Sequence, residues 1–348
     1  DGSIRLDQRY FAFRSGQAMA SRRLNTVLGP PRRASDPLTQ QQADTARSMQ
    51  DLLELIVLRA ARHAHHVTGE RAVCLAGGVA LNCVANGRLM RDGPFDAIWV
   101  QPASGDDGSA VGAALWGWHQ VMDQPRRPGC HDAMSSAALG PGFTHEEVRN
   151  WLTAEGIPHE VPAPDVLATE VAGALAGGDV VGWFQGRLEF GPRALGHRSI
   201  LADPRDPAMV QKINVAVKGR EGFRPFAPSV LAEEADAWFD LDCALPYMLV
   251  TVPVSGAVSE EASDHEARTF AERLSSTRSR IPACTHVDGS ARVQTVAQED
   301  HPEFHALLRA FFDRTACPVL LNTSFNQKDE PIVCTPADAL RCAERVGL

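Results

Sequence analysis

The chain has 348 residues, and at roughly 100 to 200 residues per domain this length predicts two domains. Hydrophobic residues make up 44% of the chain and charged residues 22%, a balance that excludes a disordered, collagen-like or coiled-coil protein. The 34 basic and 43 acidic residues give a formal net charge of -9, which disfavours a protein that coats nucleic acid with a basic surface.

The cysteines, the apolar runs and the first residues of the chain indicate where in the cell the protein is located. Eight cysteines are scattered without CxxC pairs, which predicts reduced thiols and a cytoplasmic location. No apolar run approaches the roughly 20 residues of a membrane-spanning helix, and the first residues have no signal pattern, so we expect no membrane partner. Because position 1 is Asp and not Met, we expect it to be an interior point of a longer protein or a trimmed end.

The predicted elements of the first part alternate strands, glycine loops and helices. Residues 1–40 show no period and predict irregular surface structure, and a helix with apolar residues three and four apart follows Thr39. The sequence then predicts a strand at 72–75, a helix near 82–90, a strand at 97–100 and a small-residue helix at 110–119. Strand, glycine loop and helix repeated twice indicate α/β architecture, with ligand groups at the strand ends.

A stretch rich in Pro, Gly and Ser at 123–143 predicts a linker, which we set at 126–143 between domains 1–125 and 144–348. Thr144 and Glu147 form a capping box that predicts the next helix start. Beyond it we predict a helix to 154, an Ala-rich helix to 177, strands at 180–184, 248–254, 292–296 and 318–321, and helices at 302–315 and from 336 onward.

The densest candidate site is the segment 185–228, which reads QGRLEFGPRALGHRSILADPRDPAMVQKINVAVKGREGFRPFAP. Between Arg187 and Arg224 eight cationic side chains stand against four acidic ones, a local charge of +4. The interleaved glycines and prolines predict turns, on which side chains can converge on one point. Guanidinium groups bind phosphate oxygens bidentately, so the segment predicts a polyphosphate site.

Two other interpretations of the arginine segment stay open. Charge runs are usually solvated or salt-bridged surfaces, but such runs seldom alternate with Gly, Pro and Phe as this one does. A nucleic-acid face is disfavoured by the uneven spacing of the cations and the acidic remainder of the chain.

Weaker site signals lie after predicted strands. The motif NTSFN at 322–326 follows an apolar strand, although Asn and Ser are also ordinary turn formers. His286, Asp288 and Arg292 lie beside another strand, and such a histidine is more often structural than catalytic.

Two loops of the first part are also candidates. Gly77 and Gly78 stand between a strand and a helix, where backbone N–H groups can approach a nucleotide, or where a tight turn is all that is needed. Asp106 and Asp107 could hold a metal or simply cap the next helix.

The motifs together resemble the O-carbamoyltransferases of nodulation-factor and antibiotic biosynthesis, of the NodU/CmcH type. The resemblance covers nearly all of the chain, in the order of that family. It rests on AGGVALNCVANGRL at 76–89, GDDGSAVGAAL at 105–115, GRLEFGPRALGHRSILADPR at 186–205, VKGREGFRPFAPSV at 217–230, HVDGSARVQTV at 286–296 and NTSFNQKDEPIVCTPADAL at 322–340.

This resemblance implies a fold and an activity. It implies that 1–125 is the C-terminal half of an ASKHA-type (actin/Hsp70-like) carbamoyl-transfer domain, and that 144–348 is a YrdC-like α/β domain. The YrdC-like domain is expected to make carbamoyladenylate from ATP and carbamoyl phosphate. The ASKHA-type domain is expected to transfer the carbamoyl group to a hydroxyl of a small natural product, an antibiotic or a sugar-like alcohol.

The resemblance also implies roles for individual residues. Lys218, Arg220 and Arg193 are expected to be catalytic, with Lys218 and Arg220 in the Lys-x-Arg element and Ser324 and Asn326 in its Ser-x-Asn partner. The remaining expected roles are binding of ATP and carbamoyl phosphate by Arg187, Arg198, Arg224 and Arg292, binding of the adenylate by Gly77, Gly78 and Asn82, and ligation of a metal by Asp106.

The family's metal-binding His-x-x-x-His pair and its catalytic histidine have no counterpart in this sequence. The resemblance implies Mg²⁺ with the nucleotide and Fe²⁺ or Zn²⁺ at the transfer site. We expect a partner segment, the N-terminal half of the first domain, to carry the histidine ligands.

Three alternatives stay open: an enzyme of the tRNA threonylcarbamoylation type, a hydrogenase-maturation carbamoyltransferase and a non-catalytic nucleotide-binding partner. Domain order and the lack of CxxC pairs disfavour the second. A homo-oligomer is neither predicted nor excluded.

Overall fold

The computed structural model describes residues 2–13, 18–33, 36–127, 129, 132–259 and 277–348. The chain divides into two compact units. The first comprises Asp1–Val73 with Gly87–Ile98, and the second comprises Cys74–Asn86 with Trp99–Leu348. Part of the predicted linker 126–143, including Cys130, lies outside the described residues, and the domain boundary stays a prediction.

The described residues form helices and strands of very different lengths. The helices are α1 Arg22–Leu28, α2 Gln40–Thr68, α3 Cys83–Asp92, α4 Asp106–Trp116, α5 His145–Ala154, α6 Pro164–Ala176, α7 Ala208–Gln211, α8 Ala235–Trp238, α9 Pro302–Thr315 and α10 Pro336–Val346. The strands are β1 Ala72–Leu75, β2 Ala97–Val100, β3 Val181–Phe184, β4 Arg198–Ala202, β5 Ala227–Leu231, β6 Thr251–Pro253, β7 Ser290–Arg292, β8 Gln294–Val296 and β9 Val319–Ser324.

In the first unit the long helix α2 confirms the predicted helix after Thr39. A capping box between Thr39 and Gln42 begins it, and Gly69, in the left-handed region at φ 70°, ends it. Its buried positions include Leu58 and the carboxylate of Glu54. Glu54 accepts a hydrogen bond of 2.9 Å from Arg88 within the same unit.

The second unit is built on a five-stranded sheet in the order β3-β4-β9-β5-β8. Only β5 and β8 pair in parallel, and the other neighbours are antiparallel. Every residue of β4 and β5 is buried. The register sets Asn322 of β9 opposite Leu201 of β4 on one side and Ala227 of β5 on the other. The α/β class is therefore confirmed, with a mixed sheet.

The core of the sheet is apolar, and two helices pack together beside it. Helix α9 buries Phe304, Leu307, Leu308 and Phe311, and packs against α6. Pro302 at the first turn begins α9, as the sequence predicts, because proline lacks the N–H that a first turn leaves unbonded.

The prediction that the arginines of this segment lie mostly on turns is wrong for Arg198, which begins β4, and the segment also enters β5. Both strands are short and buried on both faces, so they lack the alternating pattern that marks a half-exposed strand. The predicted strand at 248–254 is shortened to β6, because Met248 has a positive φ of 54° that a strand does not allow.

Two further strand predictions are corrected by pairing. The single strand predicted at 292–296 is split into β7 and β8, because β7 pairs with β6 and β8 pairs with β5 in a different sheet. The strand predicted at 318–321 instead runs to Ser324, so Asn322 lies inside β9 and not after it.

Two findings concern the whole described chain. Among the described residues, no helix is both long and apolar enough to cross a bilayer. The seven described cysteines are all free thiols.

Candidate functional site

Four arginines line one cavity of about 260 Å³ in the second unit. This volume lies just below the range of about 300–1,000 Å³ that holds drug-sized ligands, so the cavity suits a small phosphorylated molecule or one end of a nucleotide. The lining residues are Pro192, Arg193, Ala194, Arg220, Arg224, Pro225, Phe226, Ala227, Met248, Arg292, Asn322, Thr323 and Ser324.

Sheet register and one tight turn bring these distant segments together. The antiparallel pairing of β5 with β9 places Ala227 beside Asn322 at the cavity wall. Arg193 lies in the connection between β3 and β4, which turns at Gly191 with φ 138°. A Cβ at Gly191 would lie 3.1 Å from the carbonyl of Pro102, so this close approach favours glycine.

A buried carboxylate shapes the turn that presents Arg193. Glu189 Oε1 accepts hydrogen bonds from the backbone N–H groups of Leu195 at 2.6 Å and His197 at 2.9 Å. Burial alone would raise the pKa of Glu189, but these bonds and the neighbouring His197 side chain hold it below its usual value. The ionised carboxylate therefore acts as a fixed template for the turn.

Arg193 carries the strongest indication of a ligand. Its Nε is buried and has no hydrogen-bond partner among the described residues. Burial lowers the pKa of the Arg193 guanidinium, because removal from water disfavours its charged form. A buried, unpaired cationic donor on a cavity wall is best explained by an anion that binds there.

The other three arginines of the cavity are only partly engaged. Arg220 Nε donates to Asn214 at 2.7 Å, and Arg292 Nη1 donates to the carbonyl of Met248 at 3.3 Å. Burial, then the charge of Arg193, lowers the pKa of Arg292 to about 10. Arg224 is exposed and pairs with Glu221 at 2.9 Å. An anion bound among these cations would offset their mutual repulsion.

Lys218 lies behind the cavity wall. Its buried Nζ donates to the backbone carbonyl of Ser324, and to the carbonyl and side-chain oxygen of Asn326 at 2.9 and 2.8 Å. Burial, then the charge of Arg220, lowers the pKa of Lys218 to about 7. Of these three residues only Ser324 lines the cavity, and Ser324 Oγ donates to Asn326 Oδ1 at 2.7 Å.

Arg198 and Arg187 donate their hydrogen bonds to backbone carbonyls, and neither lines the cavity. Arg198 is fully buried and donates to the carbonyls of Gln185, Gly186, His197 and Cys334. Arg187 donates to the carbonyls of Leu139 and Gly140. The structure does not bring either residue to the cavity, and their roles in substrate binding stay predictions.

The candidates of the glycine loop are not among the residues that line the cavity. Gly77, at φ 93°, leads into a 3₁₀ turn from Gly78 to Leu81, and open space surrounds both glycines. Asn82 Oδ1 accepts the N–H of Ala85 at 3.0 Å, which caps α3. Their contact with an adenylate stays a prediction.

Asp106 stands exposed in the first turn of α4, as a helix-capping acid does. Within the described part of the chain, no group of three or more His, Cys, Asp or Glu side chains could hold a metal ion. One carboxylate does not supply the donor set of a metal site, so the residues present do not fit such a site by themselves. The metals expected from the resemblance therefore stay predictions.

The histidine and aspartate near β7 build a turn. Asp288 Oδ1 accepts the N–H of Ser290 at 3.1 Å and its hydroxyl at 2.7 Å, and His286 Nδ1 lies 3.2 Å from the same hydroxyl. This turn begins β7, which carries Arg292 to the cavity.

The sequence did not single out Asn322, Thr323 or Met248 as individual site residues. One signal for Asn322 was present, because an amide inside an otherwise apolar buried strand requires polar partners. Met248 carried no such signal, because its backbone has a positive φ that nothing in a methionine residue predicts.

The fold and the cavity define an α/β protein with a pocket suited to a small anion. Comparison of the sequence with models of protein families then identifies the family. Residues 1–115 match the model "Carbamoyltransferase N-terminus", and residues 172–348 match the model "Carbamoyltransferase C-terminus". The chain therefore belongs to the carbamoyltransferase family, which confirms the resemblance found in its motifs.

Several curated proteins are similar to most of the chain. An uncharacterised protein of Synechocystis, sll1178, is 48% identical over 100% of this chain and 57% of its own length. Nodulation protein NolO of Bradyrhizobium diazoefficiens is 42% identical over 89% of this chain and 53% of its own. The 3'-hydroxymethylcephem-O-carbamoyltransferase of Amycolatopsis lactamdurans is 33% identical over 79% and 46%. The chain thus spans about half the length of these relatives.

Among solved structures, the crystal structure of full-length HypF in its phosphate- and nucleotide-bound form shows 16% identity and a TM-score of 0.30. The match covers 51% of this chain and 20% of HypF. Such a weak match does not bear on the fold or the function.

Proposed function

We propose that this chain is part of an ATP-dependent O-carbamoyltransferase and that its arginine cavity forms carbamoyladenylate from ATP and carbamoyl phosphate. The observation that carries the proposal is the convergence of Arg193, Arg220, Arg224 and Arg292 on one small cavity, where the buried Arg193 Nε has no hydrogen-bond partner within the described part of the chain. Two phosphorylated substrates repel each other, so a site that joins them needs several cations. Membership of the carbamoyltransferase family supports the choice of carbamoyl phosphate.

In the first half-reaction, water cleaves carbamoyl phosphate to carbamate and inorganic phosphate. A carbamate oxygen then attacks the α-phosphorus of ATP. The new P–O bond forms as the bond to the pyrophosphate oxygen breaks, and the electron pair leaves with pyrophosphate. Guanidinium groups on the cavity wall would hold the phosphates in place and stabilise the charge that builds on the leaving group.

In the second half-reaction, the acceptor hydroxyl attacks the carbamoyl carbon and AMP leaves. The hydroxyl proton passes to a base, and the product is an O-carbamate. We assign this step to the first domain, with Gly77, Gly78 and Asn82 near the adenylate. We further propose that 144–348 has the YrdC-like fold and 1–125 the ASKHA-type fold.

The acceptor is proposed to be a hydroxyl of a small natural product. This choice is supported by the name of the Amycolatopsis relative, a hydroxymethylcephem carbamoyltransferase, and by the nodulation proteins among the relatives. No described residue identifies the particular alcohol.

Pyrophosphate release tests the first half-reaction. The 348-residue chain is mixed with ATP, and release is measured with and without carbamoyl phosphate. We expect release only with both substrates, and a fall of about 10²- to 10³-fold in Arg220→Ala. Arg341→Ala is the matched control, because Arg341 is exposed on α10 and, of the residues that the structure describes, pairs with Asp338 alone.

Three results would separate the alternatives. ATP binding by calorimetry without any pyrophosphate release would favour a non-catalytic partner. Release that requires tRNA would favour an enzyme of the tRNA-modifying type. Equal rates in Arg220→Ala and Arg341→Ala would contradict the placement of the reaction in this cavity.

A further inference from the structure

Asn322 is a buried amide among the residues that line the cavity, four of which are arginines. The residue is 1% exposed, lies inside β9 and lines the cavity. Its Oδ1 is buried and has no hydrogen-bond partner among the described residues. An unsatisfied buried carbonyl oxygen is costly, so its persistence suggests a ligand that supplies a donor.

A chain of hydrogen bonds fixes which end of the amide is unpaired. Gln294 Nε2 donates to the carbonyl of Leu195 at 2.7 Å, which directs Gln294 Oε1 toward Ser229 and Asn322. Gln294 Oε1 accepts from Ser229 Oγ at 2.6 Å and from Asn322 Nδ2 at 3.2 Å. Asn322 Nδ2 also donates to Ser229 Oγ at 3.0 Å. Rotating the Asn322 amide by half a turn would set its oxygen against Gln294 Oε1, acceptor against acceptor.

The unpaired oxygen and the unpaired guanidinium donor complement a carbamoyl group. The phosphate part of a substrate offers only acceptors, which suit the arginines but not Asn322 Oδ1. A carbamoyl group adds an NH₂ donor beside its carbonyl oxygen. Acetyl phosphate has the same shape with a methyl group in place of NH₂, and a methyl group cannot donate to Asn322.

We propose that Asn322 Oδ1 accepts a hydrogen bond from the NH₂ of the carbamoyl group and so selects carbamoyl phosphate over acyl phosphates that lack an N–H. This inference rests on the proposed function, since it specifies the co-substrate of the same cavity. A site built around a hydrogen bond to an NH group discriminates strongly, because an analogue without that donor leaves the buried acceptor unpaired. For one such bond we expect a preference of about 10- to 100-fold.

Two stable analogues test the selection. Phosphonoacetamide and acetonylphosphonate differ only by NH₂ in place of CH₃, and neither hydrolyses as an acyl phosphate does. We measure the Kd of each for the 348-residue chain by calorimetry. We expect phosphonoacetamide to bind about 10- to 100-fold more tightly. In Asn322→Leu, which removes the acceptor at similar volume, we expect the two affinities to differ by less than about threefold.

Thr295→Val is the matched control for folding and packing. Thr295 is buried on β8 and its hydroxyl accepts the N–H of Leu245 at 2.9 Å, away from Asn322. This variant should lose some stability and keep the full preference for phosphonoacetamide. A merely structural role of Asn322 would lower both affinities together and leave their ratio unchanged.

The outcomes distinguish the inference from the function on which it rests. If the wild-type chain binds both analogues equally, or if Asn322→Leu keeps the wild-type ratio, the role of Asn322 is overturned while the proposed function stands. If the wild-type chain binds neither analogue and releases no pyrophosphate, the proposed function fails and the inference fails with it. The affinities of the two analogues for the wild-type chain can by themselves refute the role of Asn322. The inference therefore stays testable even if Asn322→Leu does not fold.

Discussion

Two groups of arginines in the second unit, all but Arg292 from the segment 185–228, have opposite environments. Arg187 and Arg198 give their donors to backbone carbonyls, and Arg205 binds the carboxylate of Asp203. The second group, Arg193, Arg220, Arg224 and Arg292, surrounds a cavity, and Arg193 Nε has no partner at all among the described residues.

The difference teaches that a run of arginines is not one functional unit. A guanidinium whose N–H donors are hydrogen-bonded within the protein contributes to stability and has few donors free to bind a ligand. A guanidinium that is buried without partners costs stability, and that cost is typical of functional sites. Substitutions in the two groups should therefore separate stability from activity.

The largest effect on stability is expected at Arg198. Arg198→Ala removes the buried hydrogen bonds to the carbonyls of Gln185 and Gly186 and opens a cavity beneath Phe184, over which the guanidinium stacks at 3.6 Å. We expect a loss of roughly 2–5 kcal/mol in the free energy of unfolding, measured by urea denaturation. Arg341→Ala, an exposed control, should change it by less than about 0.5 kcal/mol. Equal losses in the two variants would remove the distinction between the groups.

The opposite pattern is expected at Arg193. Arg193→Ala should lower carbamoyl-phosphate-dependent pyrophosphate release by about 10²- to 10³-fold, because it removes a cation aimed at the substrates. The free energy of unfolding should stay within about 0.5 kcal/mol of the wild type or rise, since Nε loses no hydrogen bond. A loss of stability as large as that of Arg198→Ala, with the rate unchanged, would refute this assignment.

At Lys218 we expect ligand binding to be coupled to the uptake of a proton. Its pKa is lowered to about 7 by burial and by Arg220, so above pH 7 the amine is largely neutral in the ligand-free chain. A bound polyphosphate favours the charged amine and raises that pKa, so binding takes up protons. Between about pH 7 and 9 we expect an uptake of up to about one proton per chain.

Calorimetry of ATP binding in buffers of different ionisation enthalpy measures this proton uptake. It should disappear in Lys218→Met and persist in Lys212→Met, because Lys212 is exposed and donates only to the carbonyl of Gly178 among the described contacts. Proton release on binding, or an unchanged uptake in Lys218→Met, would show that another group is responsible.

The smallest effect is expected at a helix cap outside both groups. Thr335 Oγ1 accepts the N–H of Asp338, and the Asp338 carboxylate accepts the N–H of Thr335 at 2.9 Å. Thr335→Ala should lower the free energy of unfolding by about 1 kcal/mol, measured by the same denaturation, and leave the rate of pyrophosphate release unchanged. A change in rate would show that α10 influences the cavity.

The sequence by itself determined the local elements and the family. Proline at the start of α9, the capping box at Thr144, and apolar runs bounded by glycine are local signals, and they predicted the corresponding helices and strands. The long motifs identified the carbamoyltransferase family from residue order alone, because a motif is a property of the linear chain.

Only the tertiary structure decided which arginines face the cavity and that Asn322 joins them. Arg198 finds one of its acceptors at Cys334, 136 residues away, and Asn322 is held by Ser229, 93 residues away. Sequence spacing carries no information about such partners, since they are set by strand pairing across the sheet. Whether a buried donor or acceptor is satisfied depends on those pairings, and that is what separates a structural arginine from one that faces a substrate.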